Sequence, residues 1–309
     1  MQAKDNEILL TIFTPAYNRA YSLGRCYKSL VEQSCKNFIW LIIDDGSIDN
    51  TKELVEEWQQ QDNGFEIRYV YKENGGMHTA HNRAYELIDT ELNVCIDSDD
   101  YMGENAAEKI ITFWKKYGSE KYAGIIGLDA DFEDNIIGKS LPEQRKSITL
   151  SGYYAEGGKG DKKLVYRTDL MKKYPPYPVF SGEKYVSLGY KYLLCDQEYE
   201  LLILNEVLCN VEYQLDGSST NMYKQYLRNP KGFAFIRKID MKYDKTLKRK
   251  FMTCIHYVSS SILAKNKKFL QESPEKLLTV CAIPFGIALT AYIKKKSKGF
   301  MNVEGMKKK

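Results

Sequence analysis

Continuous apolar runs and stretches with helical spacing alternate along the first part of the chain. Apolar runs of strand length predict buried strands at residues 7–13, 38–43, 65–71, 92–96 and 123–128. Apolar positions three or four residues apart predict the intervening helices at residues 20–31, 51–58, 79–88 and 106–114. Asn50, with Glu53 three residues later, is the predicted cap of the second helix. This alternation predicts an α/β fold with a mostly parallel sheet and helices on both faces.

The pattern weakens after residue 130. Residues 164–173 predict a short strand and helix that end at Pro175 and Pro176, and residues 190–208 predict a helix followed by an extended segment. From Asn221 the chain predicts helices. A first domain over residues 1–220 and a helical C-terminal region over residues 221–309 follow from this change of pattern.

Polar, turn-forming residues follow four of the predicted strands, at residues 14–19, 44–47, 73–76 and 97–100. In open parallel sheets, ligands bind where the strands end at their carboxyl side. We therefore expect these four loops to meet at one edge of the sheet and to form a binding site.

The charge of the chain divides at the same boundary as the apolar pattern. The net charge of +4 combines +16 in residues 221–309, from 21 Lys and Arg against 5 Asp and Glu, with −12 in residues 1–220. The two regions therefore face different partners. Seven Cys without a C-x-x-C pair and only three His predict reduced thiols and no zinc site. Residues 1–7 lack the pattern of a signal peptide, so a cytoplasmic protein is expected.

Two acidic clusters carry the candidate chemistry. Asp97, Asp99 and Asp100 follow a strand, where closely spaced carboxylates suit a hard divalent cation that also takes phosphate oxygens. The alternative is an acidic turn in which Asp100 caps the next helix. Asp44 and Asp45 end another strand and can accept from a base N–H or a ribose hydroxyl, or serve only turn and cap chemistry.

These motifs, in this order, resemble those of family 2 glycosyltransferases with the GT-A fold, of the type that builds bacterial cell-surface polysaccharides. The motifs are T-P-A-Y-N-R, I-I-D-D-G-S-I-D-N-T, E-N-G-G-M-H-T-A-H-N and C-I-D-S-D-D. The resemblance covers residues 7–105 strongly and continues weakly to about residue 220. It implies a GT-A (Rossmann-like) catalytic domain over residues 1–220, with a nucleotide-binding half at 1–105 and an acceptor half at 106–220.

The resemblance also implies roles for the matched residues. Asp97 would face the ribose, Asp99 would hold Mn²⁺ or Mg²⁺, and either Asp44 or Asp45 would bind the uracil or other base. The donor is expected to be a UDP-sugar. The other residues expected to contact it are Thr14, Pro15, Ala16, Tyr17, Asn18, Asn74, Gly75, Gly76, His78 and Ser98. Met77 departs from the Lys of many relatives, and His81 is expected to pack rather than to bind.

The resemblance implies an inverting reaction in which a carboxylate in the second half deprotonates an acceptor hydroxyl. The best match is Glu183, although Lys184 replaces the usual Asp; the alternative is a surface Glu paired with a Lys. Asp196, Glu198 and Glu200 are rivals, expected to be solvated on a helix over residues 192–204. Residues 212–220 resemble the segment that closes over donor and acceptor, but a plain loop fits equally well.

The basic C-terminal region adds a membrane hypothesis. Residues 277–293 are apolar, interrupted by Pro284 and Gly286, and followed by three lysines. This stretch is short and broken for a membrane span, so a helix on the inner membrane surface fits better, beside a glycan or lipid-linked glycan acceptor. The alternative is a core helix with a soluble basic end. No basic-aromatic motif points to nucleic acid.

Three other functions are alternatives to glycosyl transfer. Phosphohydrolases of the haloacid dehalogenase type also place D-x-D after an apolar strand, but usually near the chain start and without a third Asp. A dinucleotide dehydrogenase is disfavoured, because no G-x-G-x-x-G follows a strand. A non-catalytic sugar-nucleotide-binding relative stays open because of Lys184.

Overall fold

The computed structural model describes residues 8–212 and 222–307. The described chain forms two compact units. The first unit contains the residues up to Pro176 together with Lys191–Glu212, and the second contains Tyr177–Tyr190 together with the residues after Glu212. The segment 177–190, which the sequence pattern grouped with the first domain, therefore packs with the C-terminal helices.

A mixed sheet organises the first unit, in the order β3-β2-β1-β4-β8-β6-β9-β5, with β7 paired to β9. Its strands are β1 Leu10–Ala16, β2 Phe38–Asp44, β3 Glu66–Tyr71, β4 Leu92–Cys95, β5 Tyr101–Met102, β6 Tyr122–Ala130, β7 Ser147–Ile148, β8 Lys162–Arg167 and β9 Glu200–Asn210. The strands β1 to β4 are parallel, which confirms the prediction for the part of the chain that carries the four loops. Strand β8 runs antiparallel between β4 and β6.

Helices cover this sheet: α1 Ala20–Val31, α2 Thr51–Gln59, α3 Met77–Leu87, α4 Ala106–Tyr117, α5 Leu150–Ala155, α6 Thr168–Lys173 and α7 Gly189–Cys195, which begins in the second unit. Strands β1 and β2 are buried along their whole length, as their unbroken apolar sequences require. Trp40 on β2 is completely buried, and the rings of Tyr27 and Trp58 stack with centroids 4.3 Å apart. The core of the first unit therefore lies directly behind the strands that end in the motif loops.

Two local predictions are wrong: the Asn50 cap of α2 and the helix over residues 192–204. Asn50 occupies the cap position of α2 but makes no side-chain cap bond. Asp49 accepts from the Thr51 backbone N at 3.2 Å instead, and its other oxygen accepts from the Ala20 backbone N at the start of α1. The helix predicted over residues 192–204 ends at Cys195, because the following residues enter β9.

The second unit is helical, as predicted: α8 Met222–Arg228, α9 Pro230–Tyr243, α10 Leu247–Leu263, α11 Phe269–Glu272 and α12 Lys276–Lys307. Its core forms where α9, α10 and α12 meet. The buried residues there include Met241, Cys254, Tyr257, Val258 and Ala282. The apolar core that these helices share is modest in size among the described residues.

Gly124 is required where β6 passes β8. Its φ of +147° is unfavourable for other residues, and a Cβ atom there would overlap the Val165 carbonyl oxygen. We expect Gly124→Ala to lower the free energy of unfolding by about 2 kcal/mol or more, measured by urea unfolding. Gly24→Ala on α1 is the control, since a Cβ there meets nothing within 4 Å; it should be neutral or slightly stabilising. Similar losses in both variants would refute this account.

Candidate active site

The first two motif loops are joined by hydrogen bonds. The Asp45 backbone N donates to the Ala16 carbonyl oxygen at 2.7 Å, which extends the pairing of β1 and β2. The Asn18 backbone N donates to Ser47 Oγ, and the Ile48 backbone N donates to Asn18 Oδ1, both at 2.8 Å. Asn18 adopts a φ of 52°, a conformation that asparagine tolerates better than most residues. Asn18 thus joins the first two loops, and its contact with the donor stays a prediction.

The carboxylate of Asp45 builds the third loop. It accepts from the backbone N of Gly75 at 2.9 Å and of Gly76 at 2.8 Å, and it forms an ion pair with Lys72. The Asp45 carbonyl oxygen accepts from Asn74 Nδ2 at 2.7 Å. The predicted Asn74-Gly75-Gly76 turn therefore takes its shape from a residue about 30 positions earlier, and the three loops form one continuous edge.

Asp44 is equally committed to protein contacts. Its carboxylate is 1% exposed and accepts from the Ser47 backbone N at 2.7 Å and from the Tyr69 hydroxyl at 2.5 Å. Burial and then Asp44 itself raise the pKa of the Tyr69 phenol, which keeps it a donor. Both Asp44 and Asp45 thus carry the turn chemistry considered from the sequence, and a contact with the base through either one stays a prediction.

The fourth loop brings two partly exposed carboxylates beside an arginine. The Ile96 backbone N donates to the Phe13 carbonyl oxygen at 3.0 Å, which fixes this loop against β1. Asp99 lies 4.0 Å from Arg19 of the first loop. Burial and the neighbouring Asp97 raise the pKa of the Asp99 carboxyl group, and Arg19 opposes this rise. All four strand-end loops therefore meet, as expected from the sequence.

The donor set at this loop fits a shared cation. The described residues contain no cluster of three or more His, Cys, Asp or Glu that could enclose a metal ion. Mg²⁺ and Mn²⁺ commonly use one or two carboxylates, several waters and substrate phosphate oxygens, because they lose water reluctantly. Asp97 and Asp99 supply such a sparse oxygen set, so the residues present fit an ion completed by a diphosphate.

Asp100 does not cap the following helix, so that alternative is wrong. Strand β5 intervenes, and α4 begins at Ala106 with Asn105 at its cap position. Asp100 is 5% exposed and accepts from the Glu212 backbone N at 3.3 Å. Burial raises its pKa to about 7, against the opposing charge of Lys163. Asp100 therefore supports the wall behind the acidic run.

Lys163 supplies the positive charge behind that run, and sequence reasoning missed it. Its Nζ donates to the Cys95 carbonyl oxygen at 3.4 Å and lies 3.8 Å from Asp129 Oδ1, which is buried and accepts no hydrogen bond from the residues that the structure describes. Burial lowers the pKa of Lys163, but Asp129, Asp100 and Asp97 together with Cys209 outweigh it and raise that pKa well above its ordinary value. Only the antiparallel placement of β8 beside β4 brings this lysine here; in the sequence it reads as a solvated strand end.

The two histidines of α3 differ in their surroundings. His78 is 1% exposed, and neither ring nitrogen has a hydrogen-bond partner within the described residues. Burial lowers its pKa to about 4, so the neutral ring keeps one donor and one acceptor for a ligand. His81 is fully buried, bonds Tyr85 at 3.2 Å and packs edge-on against Phe13, in keeping with a packing role.

The remaining predicted nucleotide contacts vary in accessibility. Thr14 is fully buried, and its hydroxyl accepts from Trp40 Nε1 at 3.0 Å. Pro15 and Ala16 lie inside β1, which continues past the predicted strand end. Tyr17 is 48% exposed at the edge of the site. Ser98 is buried and Met77 is exposed.

Glu183 lies in the second unit and binds a helix terminus. Its two carboxylate oxygens accept from the backbone N of Lys231 at 3.0 Å and of Gly232 at 2.9 Å, in the first turn of α9. Lys184 donates its backbone N to Asn229 Oδ1 at 2.8 Å. Glu183 therefore caps α9, and its assignment as the catalytic base stays a prediction.

The rival carboxylates are also engaged. Asp196 accepts from the backbone N of Leu150 and Ser151, so it is not the solvated helix residue expected from the sequence. Glu198 pairs with Lys173 at the surface. The closing segment predicted at residues 212–220 lies outside the described residues except for Glu212.

Comparison with known proteins places these loops in a family. The model of the family described as Glycosyl transferase family 2 matches residues 11–172, slightly more than half of the chain. Glycosyltransferase GlyG of Streptococcus pneumoniae serotype 4 is 32% identical over 103 residues, which are 33% of this chain and 34% of GlyG. The match spans about a third of that relative.

Two solved structures share the fold over most of the chain. S. aureus TarS 1–349 in complex with UDP-GlcNAc has a TM-score of 0.58 at 14% identity and covers 94% of this chain and 92% of that one. Mannosyltransferase PcManGT from Pyrobaculum calidifontis, in complex with GDP-Man and Mn²⁺, has a TM-score of 0.53 at 14% identity and covers 96% and 79%. These likenesses confirm the fold that the sequence motifs predict.

Lys163 provides a test of the charge balance at the acidic run. Lys163→Met leaves Asp129 and Asp100 buried without their cation, so we expect the free energy of unfolding to fall by about 3 kcal/mol. Lys173→Met is the matched control, because Lys173 pairs with Glu198 at the surface; its loss should stay below about 1 kcal/mol. Urea unfolding of both variants measures the difference, and equal losses would show that Lys163 acts as an ordinary surface lysine.

Proposed function

Because the chain belongs to glycosyltransferase family 2, we propose that it transfers a sugar from a nucleoside diphosphate sugar to a hydroxyl group of an acceptor. The observation that carries this proposal is the joining of four strand-end loops into one edge, where Asp45 shapes the Asn74-Gly75-Gly76 turn and Asp99 lies 4.0 Å from Arg19. A polar turn at one end and paired carboxylates at the other suit the two ends of a nucleoside diphosphate.

We propose UDP as the nucleotide and Mn²⁺ or Mg²⁺ as the cation. Support comes from the sequence motifs and from the fold shared with TarS, whose solved complex holds UDP-GlcNAc. The complex of PcManGT with GDP-Man and Mn²⁺ shows that the same fold accommodates another base. In this proposal the turn at Asn74-Gly75-Gly76 contacts the base and diphosphate, and His78 donates to or accepts from the donor.

The proposed mechanism assigns the leaving group to the fourth loop. In this mechanism Asp99, with Asp97 beside it, would hold the cation, and Asp97 would face the ribose. When bound, this cation neutralises charge on the departing diphosphate. Arg19 lies at the same place and contributes a further positive charge. Asp100 and Lys163 hold the acidic run in position from behind.

The acceptor side of the mechanism uses Glu183 as the base. Its carboxylate takes the proton of the acceptor hydroxyl while that oxygen attacks the anomeric carbon from the face opposite the diphosphate. The bond from carbon to the diphosphate oxygen breaks as the new glycosidic bond forms, so the anomeric configuration inverts. A base must lie within hydrogen-bond reach of the acceptor oxygen, so in this mechanism the Glu183 carboxylate exchanges its contact with α9 for the acceptor hydroxyl.

We further propose a glycan or lipid-linked glycan as the acceptor, in the synthesis of a cell-surface polysaccharide. The basic C-terminal region supports work at the cytoplasmic face of the membrane, where anionic lipids attract positive charge. A phosphohydrolase is not favoured, because the family match includes all four loops. A non-catalytic relative would bind the donor without hydrolysing or transferring it.

The metal assignment is tested by donor hydrolysis. We expect purified protein with Mn²⁺ to release UDP slowly from a UDP-sugar, and Asp99→Ala to lower this rate by about 100-fold or more, because the leaving group loses its counter-charge. Asp62→Ala, at an exposed position away from the loops, should leave the rate unchanged. Unchanged release in Asp99→Ala would move the metal site elsewhere, and faster release from a GDP-sugar would replace the proposed nucleotide.

The base assignment is tested by separating hydrolysis from transfer. We expect Glu183→Gln to keep donor binding and slow hydrolysis while transfer falls by about 10² to 10⁴-fold. Glutamine keeps one oxygen that can accept from α9, so thermal unfolding checks that the cap survives. Glu198→Gln, at a surface ion pair, is the control. Retained transfer in Glu183→Gln would assign the base to another carboxylate, and Asp196 would be the next candidate.

A further inference from the structure

Helix α12 exposes its large apolar side chains. Leu277 is 84% exposed, and four others on this helix are about half exposed: Val280, Phe285, Ile287 and Tyr292. A helix of a water-soluble domain normally turns such residues toward its core. We call the side that carries these residues the outer face of α12.

The side of α12 that packs on α10 has the opposite character. Four of its buried residues, Thr279, Ala282, Gly286 and Thr290, are small or carry a hydroxyl, and Ile293 is the large apolar residue buried with them near the end of the stretch. Thr290 Oγ1 donates to Ser259 Oγ at 3.0 Å, and a Cβ on Gly286 would overlap Val258. Small residues and hydroxyl bonds between helices, with large apolar residues outside, are the arrangement found where lipid surrounds a helix pair.

The extent of this surface argues against a core helix. Within Lys276–Ser297 an 18-residue window has a mean hydropathy of 1.7, and only 28% of that window is buried. By length and composition this helix could cross a membrane, but α10 covers one side of it, which leaves the opposite side for lipid. A helix lying in the membrane interface presents one apolar face in this way.

Charge identifies the occupant of the outer face. Lys276 precedes the apolar stretch, and Lys294, Lys295 and Lys296 follow it, all exposed. A second copy of this chain would bring these lysines, and a region of net charge +16, against like charge. Anionic lipid headgroups would instead meet the lysines while the apolar residues between them enter the hydrocarbon.

We infer that the outer face of α12 inserts into the hydrocarbon edge of an anionic lipid bilayer, with the flanking lysines at the headgroups. This goes beyond electrostatic attraction of a basic region, because the apolar side chains leave water. It stands independently of the proposed transfer reaction, and it would hold the protein where a lipid-linked acceptor is found.

Cys281 offers a direct probe of insertion. It is exposed and lies four residues from both Leu277 and Phe285, on the outer face. Full-length protein carrying Cys35→Ser and Cys95→Ser, which remove the two partly accessible thiols among the described residues, is labelled at Cys281 with an environment-sensitive fluorophore. With vesicles of phosphatidylcholine and phosphatidylglycerol we expect a blue-shifted, stronger emission that nitroxides on the acyl chains quench. Phosphatidylcholine vesicles alone should give a much smaller change.

Two sets of variants separate the apolar and charged contributions. The double variant Val280→Glu, Ile287→Glu should lose about tenfold or more in vesicle affinity, whereas Ile48→Glu, at a 90% exposed position of the first unit, should not. Replacing Lys294, Lys295 and Lys296 by Gln should remove the preference for anionic lipid. The same change at the exposed Lys115, Lys116 and Lys121 should leave that preference intact.

Three results would overturn the inference. Vesicle binding with the label still in water would mean that the lysines bind without insertion. Protection of the label without lipid, together with dimers in sedimentation equilibrium, would mean that a second copy of the chain covers the outer face. Absence of vesicle binding under all conditions would equally exclude the lipid occupant.

Discussion

The hydrogen bonds of the Asp45 carboxylate hold the candidate active site together. A buried carboxylate must have partners, because an unpaired buried charge is very costly. Asp45 obtains them from the backbone of Gly75 and Gly76 and from Lys72. The end of β2 thereby fixes the turn before α3, and the Asp45 backbone fixes the end of β1 through Ala16. The geometry of the other site residues depends on this single satisfied charge.

Two basic residues balance the charge of the four acidic residues beside these loops, which are Asp97, Asp99, Asp100 and Asp129. Lys163 neutralises the buried side of the cluster through Asp129, while Arg19 meets Asp99 on the accessible side. The carboxylates of Asp97 and Asp99 keep partial exposure, where a cation shared with a diphosphate fits. These carboxylates of the acidic first region therefore lie where the proposed donor would need counter-charge from a metal ion.

The second unit uses its positive charge and apolar surface differently. Its helices α10 and α12 meet through small residues and hydroxyl groups such as Thr290 and Ser259, and large apolar residues face outward. The charge asymmetry between the two regions then has one physical account. The acidic region suits a metal and a nucleotide, and the basic region suits an anionic membrane that would also carry the acceptor.

The sequence alone predicted β1 to β4, β6, most helices and the order of the four loops, because apolar periodicity and turn residues act over a few neighbouring positions, whereas the two-residue strands β5 and β7 were not predicted. It also determined that those loops meet, since parallel strands end at one edge. Tertiary contacts alone place Lys163 behind the acidic run, beside Asp129, and bind Glu183 to the first turn of α9. Each of these depends on groups brought together from distant parts of the chain. The outward direction of the apolar residues of α12 was likewise decided by its packing on α10, which no local pattern encodes.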